Sequence, residues 1–179
     1  MYPDLKGKVV IVTGGAKGIG KATVERFVEE GSVVVSFDIE VPSSKVEGAD
    51  YMRVDVSNYD QVSAAVDLVY RKYGRIDVLV NNAGIVIYGK LHETSIDDWN
   101  KILGVDLNGA FYTSKCVIPI MLKQGKGVII NVSSVQGVSP VNKNTFAYIV
   151  AKHALIGLTK SIAVDYAPII RAVAVCPGT

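Results

Sequence analysis

The sequence predicts an α/β fold, a doubly wound parallel sheet with helices on both faces, and three observations predict it. Short apolar strands alternate with helical stretches from residue 9 to residue 175. Several strands, residues 9–12 and 33–35 among them, lack the in-out alternation of a half-exposed strand, as expected where helices cover both faces. Small or polar residues able to hold a ligand recur just after strand ends: the turn 14–20, Asp38, Asp55, residues 81–84, and Ser133 with Ser134. Right-handed βαβ crossovers then give the strand order 3-2-1-4-5-6. The ligand belongs outside the carboxyl ends, at the switch between strands 1 and 4.

Residues 9–12 form the first strand, and Gly14, Gly18 and Gly20 crowd the turn after it. Residues 21–30 read as a helix, with Val24, Phe27 and Val28 at helical spacing and Gly31 to end it. Strand, glycine turn and helix N-terminus together make an anion site, because free backbone N–H groups and the positive end of the helix dipole converge there. Glycine either supplies positive φ or lets a ligand reach the backbone. A phosphate or pyrophosphate is the expected ligand. The spacing Gly14-x-x-x-Gly18-x-Gly20 departs from G-x-G-x-x-G. A phosphate-loop match, Gly15-x-x-x-x-Gly20-Lys21, breaks at Ala22, where a hydroxyl is needed for magnesium.

Residues 33–38 make the second strand, ending in Asp38, and residues 40–49 a loop. Residues 51–54 are the third strand, ending at Asp55. Ser57 opens a helix with Asp60 as its capping-box partner, an apolar stripe from Val62 to Tyr73, and Gly74 to close it. The fourth strand is 76–80, followed by Asn81-Asn82-Ala83-Gly84. Ser95 and Asp98 cap a short helix carrying Ile96, Trp99 and Leu103. A separate long apolar helix spans 107–123, bent at Pro119 and ended by Gly125 and Gly127. Residues 128–132 form the fifth strand, 146–166 a helix, and 173–175 the sixth strand.

The 179 residues suffice for one domain, taken as 1–179, that both binds the ligand and does the chemistry. A formal net charge of +2 gives no electrostatic case for nucleic acid or an anionic membrane. No run approaches transmembrane length, and the N-terminus lacks signal-peptide character. Cys116 and Cys176, far apart, read as free thiols of a reducing, cytoplasmic compartment. His92 and His153 have no ligand spacing, so no metal is expected. Asn131-Val132-Ser133 matches a glycosylation sequon but ends a buried strand, which argues against its use.

Asp38 lies about twenty residues past the glycine turn, where a carboxylate accepts hydrogen bonds from an adenosine ribose and repels a 2′-phosphate. This favours NAD over NADP, while Lys17 beside Gly18 pulls the other way. Tyr148 and Lys152, at i and i+4, share one helical face. A tyrosine's ordinary pKa of about 10 is too high for a base near neutrality. A neighbouring ammonium stabilises a phenolate, which can exchange a proton with an alcohol oxygen while hydride moves at the carbon. Ser134, at the end of strand 5, could hydrogen-bond the same oxygen.

Thr13-Gly14-x-x-x-Gly18-x-Gly20, Asn81-Asn82-Ala83-Gly84, Ser134, Tyr148-x-x-x-Lys152 and Pro177-Gly178 together resemble the classical short-chain dehydrogenase/reductases, in that family's order along the whole chain. Residues 133–136 and 152–161 look most like archaeal aldohexose (glucose or mannose) dehydrogenases. The resemblance implies a Rossmann-type fold and an NAD-dependent oxidoreductase, with NADP as alternative cofactor. It makes Tyr148 the acid/base, Lys152 its helper and a ligand of the nicotinamide ribose, and Ser134 the group orienting substrate oxygen. Gly14, Lys17, Gly18, Ile19, Gly20, Asp38, Asp55, Val56, Asn81, Ala83, Gly84, Pro177 and Gly178 would complete the cofactor site. Asp106 stands where the family usually has asparagine and is counted with the catalytic residues. Gln136 and Lys143, on the loop before the catalytic helix, are candidate partners of sugar hydroxyls. Three readings follow: oxidation of an aldohexose at C1, another reaction of the family such as 3-oxoacyl reduction, and a catalytically impaired nucleotide-binding sensor. The resemblance also implies a homodimer or homotetramer formed through helices 107–123 and 146–166. It further implies a C-terminal lid and last strand that residues 1–179 do not contain.

Overall fold

The computed structural model describes residues 2–178. Six parallel strands form one sheet: β1 Val9–Thr13, β2 Val33–Asp38, β3 Ala49–Arg53, β4 Val78–Asn81, β5 Gly127–Val132 and β6 Ile170–Val175. Their order is β3-β2-β1-β4-β5-β6, as the sequence predicts. Between them run α1 Gly18–Glu29, α2 Tyr59–Tyr73, α3 Ile96–Leu103, α4 Gly109–Gln124 and α5 Phe146–Tyr166.

The sheet separates two apolar layers. Ile11, Val35, Phe37 and Leu79 pack with Val66 of α2, Val117 and Met121 of α4, and Ile162 of α5. On the opposite face Val10, Val12, Val34 and Val80 pack with Val24 of α1. Val9 to Val12 are each at most 3% exposed. Burial of such side chains is worth about 1.5–3 kcal/mol apiece, so β1 firmly anchors the turn that follows it. Beyond α1 the second face thins out, and Val173 and Val175 of β6 are exposed.

The structure revises four local expectations. First, α1 begins at Gly18 rather than Lys21, so Gly18, Ile19 and Gly20 form its first turn. Second, α2 is capped by Asn58, whose side chain accepts from Gln61 N at 3.1 Å. Ser57 is diverted, donating through Oγ to Asp55 Oδ1 at 2.6 Å. Third, a π-helical turn, Gly104–Asn108, joins α3 to α4, so the two expected helices are one rod from Ile96 to Gln124. Ser95 caps that rod as expected, accepting from Asp98 N at 3.0 Å. Fourth, α5 has the length and composition of a membrane span, contrary to the expectation that no run does. It packs on β6 and β5 and contributes Leu155 and Ile162 to the interior.

Candidate active site

Two cavities of about 360 Å³ each lie over the carboxyl ends of the central strands. They share Ile19, Asn82, Gly84 and Ile85 and so form one two-lobed trough.

The first lobe is bounded by Gly14, Ala16, Lys17, Ile19, Asp38, Asp55, Val56, Ala83 and Gly84. Its floor is built from backbone. Asn82 Nδ2 donates to the carbonyls of Thr13 and Gly14, both at 3.0 Å, and Thr13 Oγ1 accepts from Asn82 N and Ala83 N, both at 3.0 Å. These four bonds fasten the glycine turn to the loop after β4. Gly20 sits inside the joint, where a Cβ would lie 2.0 Å from the Gly14 carbonyl oxygen. Gly20 therefore packs the turn and does not line the trough. Gly18, at φ +57°, opens a helix whose N-cap, Lys17, offers no side-chain acceptor, leaving first-turn N–H groups for a ligand. Asp38 is pinned by main chain, its Oδ2 accepting from Ala16 N at 3.0 Å and its Oδ1 from Glu40 N at 3.1 Å. A carboxylate has about four acceptor sites, so two remain for hydroxyls. Asp55 Oδ1 accepts from Ser57 N and Oγ at the lobe's far edge.

The second lobe brings together Ser134 from the end of β5, Tyr148 and Lys152 from α5, and Pro177 and Gly178 after β6. Lys152 Nζ lies 5.4 Å from the Tyr148 ring centroid. Ser134 Oγ accepts from Gln136 N at 3.1 Å and faces the lobe. Ser133 Oγ instead donates to the Lys152 carbonyl at 2.9 Å, tying β5 to α5. Lys152 is only 3% exposed. Its Nζ donates to the Val132 carbonyl at 3.1 Å and lies 3.2 Å from Asp106 Oδ2. Asp106, carried on the π-helical turn, is 1% exposed, and its Oδ1 accepts from Ile85 N at 2.8 Å. Oδ2 has the ammonium nearby but no aligned hydrogen bond. Burial pushes the Asp106 carboxyl above its ordinary pKa, and Lys152 and Ile85 N pull it back only in part.

Besides Gly20, two expected site residues, Asn81 and Lys143, lie outside the trough, and a third, Gln136, is engaged within its own loop. Asn81 is buried below the trough in a polar core network. It donates through Nδ2 to Asn131 Oδ1 at 2.8 Å and accepts at Oδ1 from Thr113 Oγ1 at 2.6 Å. Gln136 touches the second lobe, but its Oε1 is occupied by Asn142 N at 3.2 Å and Thr145 Oγ1 at 3.3 Å, so it braces the loop. Lys143 is exposed and outside the lining, where Asn142 takes its place. Sequence reasoning passed over Asn82, which borders both lobes. The signal was the doubled asparagine, since alternate residues at a strand end face opposite ways.

A family model described as short chain dehydrogenase matches residues 8–179. The solved ligand-free aldohexose dehydrogenase of Thermoplasma acidophilum is 50% identical with a TM-score of 0.96, the match covering 100% of this chain and 69% of that one. The 3-ketoacyl-(acyl-carrier-protein) reductase of Brucella melitensis, solved in complex with NADH, is 31% identical with a TM-score of 0.91, covering 97% and 76%. The meso-2,3-butanediol dehydrogenase of Serratia marcescens is 40% identical over 179 residues, 96% of this chain and 70% of its own length.

Proposed function

Because this chain belongs to the short-chain dehydrogenase/reductase family, oxidoreductases that act on CH–OH groups with NAD(P), we propose that it oxidises an aldohexose at C1 and uses NAD. The observation that carries the reading is the juxtaposition of Tyr148 and Ser134 in a lobe continuous with the one that holds Asp38. The sugar substrate is favoured by the 50% identity to the Thermoplasma enzyme.

The residues present fit a nicotinamide dinucleotide. A glycine-walled turn with unpartnered N–H groups suits the pyrophosphate, and Asp38 suits a ribose diol while disfavouring a 2′-phosphate. Asp55 and Val56 would flank the adenine, and Lys152, Pro177 and Gly178 would border the nicotinamide half. A bound oxidised nicotinamide would supply the acceptor for the hydride from C1. In its phenolate form Tyr148 takes the proton from the C1 hydroxyl as the carbonyl forms, giving the lactone and the neutral phenol. Ser134 donates to the same oxygen and fixes its orientation. Lys152 supplies positive charge beside the phenol ring as the proton leaves. Exposed Phe111, Val150 and Val164 on the outer sides of α4 and α5 are the proposed contacts of a homodimer or homotetramer.

The test is a screen of NAD- and NADP-linked turnover on glucose, mannose, secondary alcohols, hydroxysteroids and 3-oxoacyl thioesters. NAD-linked oxidation of glucose or mannose is expected. Turnover confined to acyl thioesters or steroids overturns the sugar reading. Asp38→Ser should cut the preference for NAD over NADP by about tenfold, the scale of one charge-assisted hydrogen bond. A protein that prefers NADP before mutation would give Lys17 the deciding role.

A further inference from the structure

Asp106 has no part in the steps above, yet it is among the most deeply buried charged groups of the protein. We propose that Asp106 is a positioning residue that, by pairing with the Lys152 ammonium under the second lobe, makes the site favour oxidised over reduced nicotinamide. The proposal rests on the reading that this lobe receives the nicotinamide.

The argument is one of charge. The oxidised nicotinamide ring carries a positive charge that the reduced ring lacks. A lone buried ammonium bordering the same lobe would repel the oxidised ring and be nearly indifferent to the reduced one. Here the ammonium is not alone, since Asp106 Oδ2 lies 3.2 Å away and solvent screens neither group. The formal charge of the pair is zero. Lys152 also gives one N–H to Val132, and because its contact with Asp106 is an ion pair without an aligned hydrogen bond, its other N–H groups remain for a ligand hydroxyl.

The surroundings hold this arrangement. Asp106 is fixed by Ile85 N and by the π-helical turn. Gly84 lies over the pair, where a Cβ would come within 2.9 Å of Oδ2 and 3.2 Å of Nζ. The packed elements bring few other ionisable groups. From α5 come Lys152 and Tyr148; from the segment after β4, the Ile85 amide; from the end of β5, the Val132 carbonyl and two serine hydroxyls. On the flanking helices Asp97, Lys101, Lys115 and Lys123 are exposed, and Asp98 is engaged with Ser95. Burial raises the Asp106 pKa, so its countercharge disappears as the pH falls.

The test is equilibrium binding of NAD⁺ and NADH, without substrate, by calorimetry on the unmodified protein and on Asp106→Asn. The affinity ratio of NAD⁺ to NADH should drop about tenfold in the variant, the scale of one charge pair at an intermediate effective dielectric. In the unmodified protein the ratio should fall as the pH is lowered through the raised Asp106 pKa, and in Asp106→Asn it should stay flat. Equal weakening of both cofactor forms, or an unchanged ratio, overturns the proposal. If Asp106→Asn does not fold, Asp106→Ser is read in the same way. If neither folds, the pH series on the unmodified protein decides, and a flat ratio overturns the proposal. Binding of neither form would instead refute the functional reading, whereas both forms bound with an unchanged ratio refutes the role of Asp106 alone.

Discussion

The two ends of the sheet treat a buried aspartate in opposite ways. At the amino ends, Asp77 accepts from Val9 N at 3.0 Å and from Arg75 Nε at 2.8 Å through Oδ2. Its Oδ1 accepts from Arg75 Nη2 at 2.5 Å and lies 3.7 Å from Lys8 Nζ. At the carboxyl ends Asp106 has one amide and one poorly aligned ammonium. Burial raises the pKa of both. At Asp77 the Arg75 fork and the Val9 amide outweigh it and hold the carboxyl below its ordinary value, while at Asp106 burial wins. A buried carboxylate with its acceptor sites filled belongs to the architecture. The one left short of partners lies under the lobe proposed for the chemistry.

Mutations at the two ends should therefore separate folding from turnover. The largest effect is expected from Tyr148→Phe, which should lower kcat by about 10²–10⁴-fold, the usual contribution of a positioned acid/base. Its urea midpoint and cofactor affinity should stay close to those of the unmodified protein. Full activity in this variant would remove the chemical end from the comparison. Asp77→Ala should do the reverse. It strips the acceptor from Val9 N and Arg75, costs about 2 kcal/mol in urea unfolding, and leaves kcat per folded molecule unchanged.

A smaller effect is the sign of the pH dependence. Asp77, with a lowered pKa, adds stability that is present above the ordinary carboxylate value of 3.8 and is lost as pH falls through its own lower value. Asp106, with a raised pKa, adds stability that is full below 3.8 and lost as pH rises through its higher value. Relative to the unmodified protein, Asp77→Asn should lose ground with rising pH and Asp106→Asn should gain it. Parallel trends in unfolding free energy would abolish the contrast. The smallest effect is expected at mid-sheet. Ser36 is fully buried and its Oγ has no partner among the described residues. Ser36→Ala should be neutral or stabilising by up to about 1 kcal/mol. Clear destabilisation would show that an unfilled polar group need not carry a cost here.

The strand order, the glycine turn and the bounds of β2 and α5 were legible because periodicity and strand-end chemistry are local signals. The failures lie where two residues competed for one task. Ser57 and Asn58 both suit a helix cap, and the nearby Asp55 carboxylate decides in favour of Asn58. Asn81 and Asn82 both follow a buried strand, and only packing against Thr113 and Asn131 shows which one points inward. Gln136 looked free to meet a ligand because the loop that occupies its carbonyl lies six to nine residues further on. The π-helical turn left no trace in the apolar pattern. Only the meeting of Asp106 with Lys152 reveals what it positions.

That joint between α3 and α4 has a genetic corollary. A π turn holds one residue more than the α turn it replaces. Loss of a single codon within 104–108 would let the rod close into plain α-helix with every later side chain kept close to its present facing, because the shorter α turn covers the same rotation. Val117 and Met121 would still face the sheet and Ile102 its own cluster, while the turn that carries Asp106 to Lys152 would be lost. A one-residue deletion here should therefore spare the packing of the rod and strike the site.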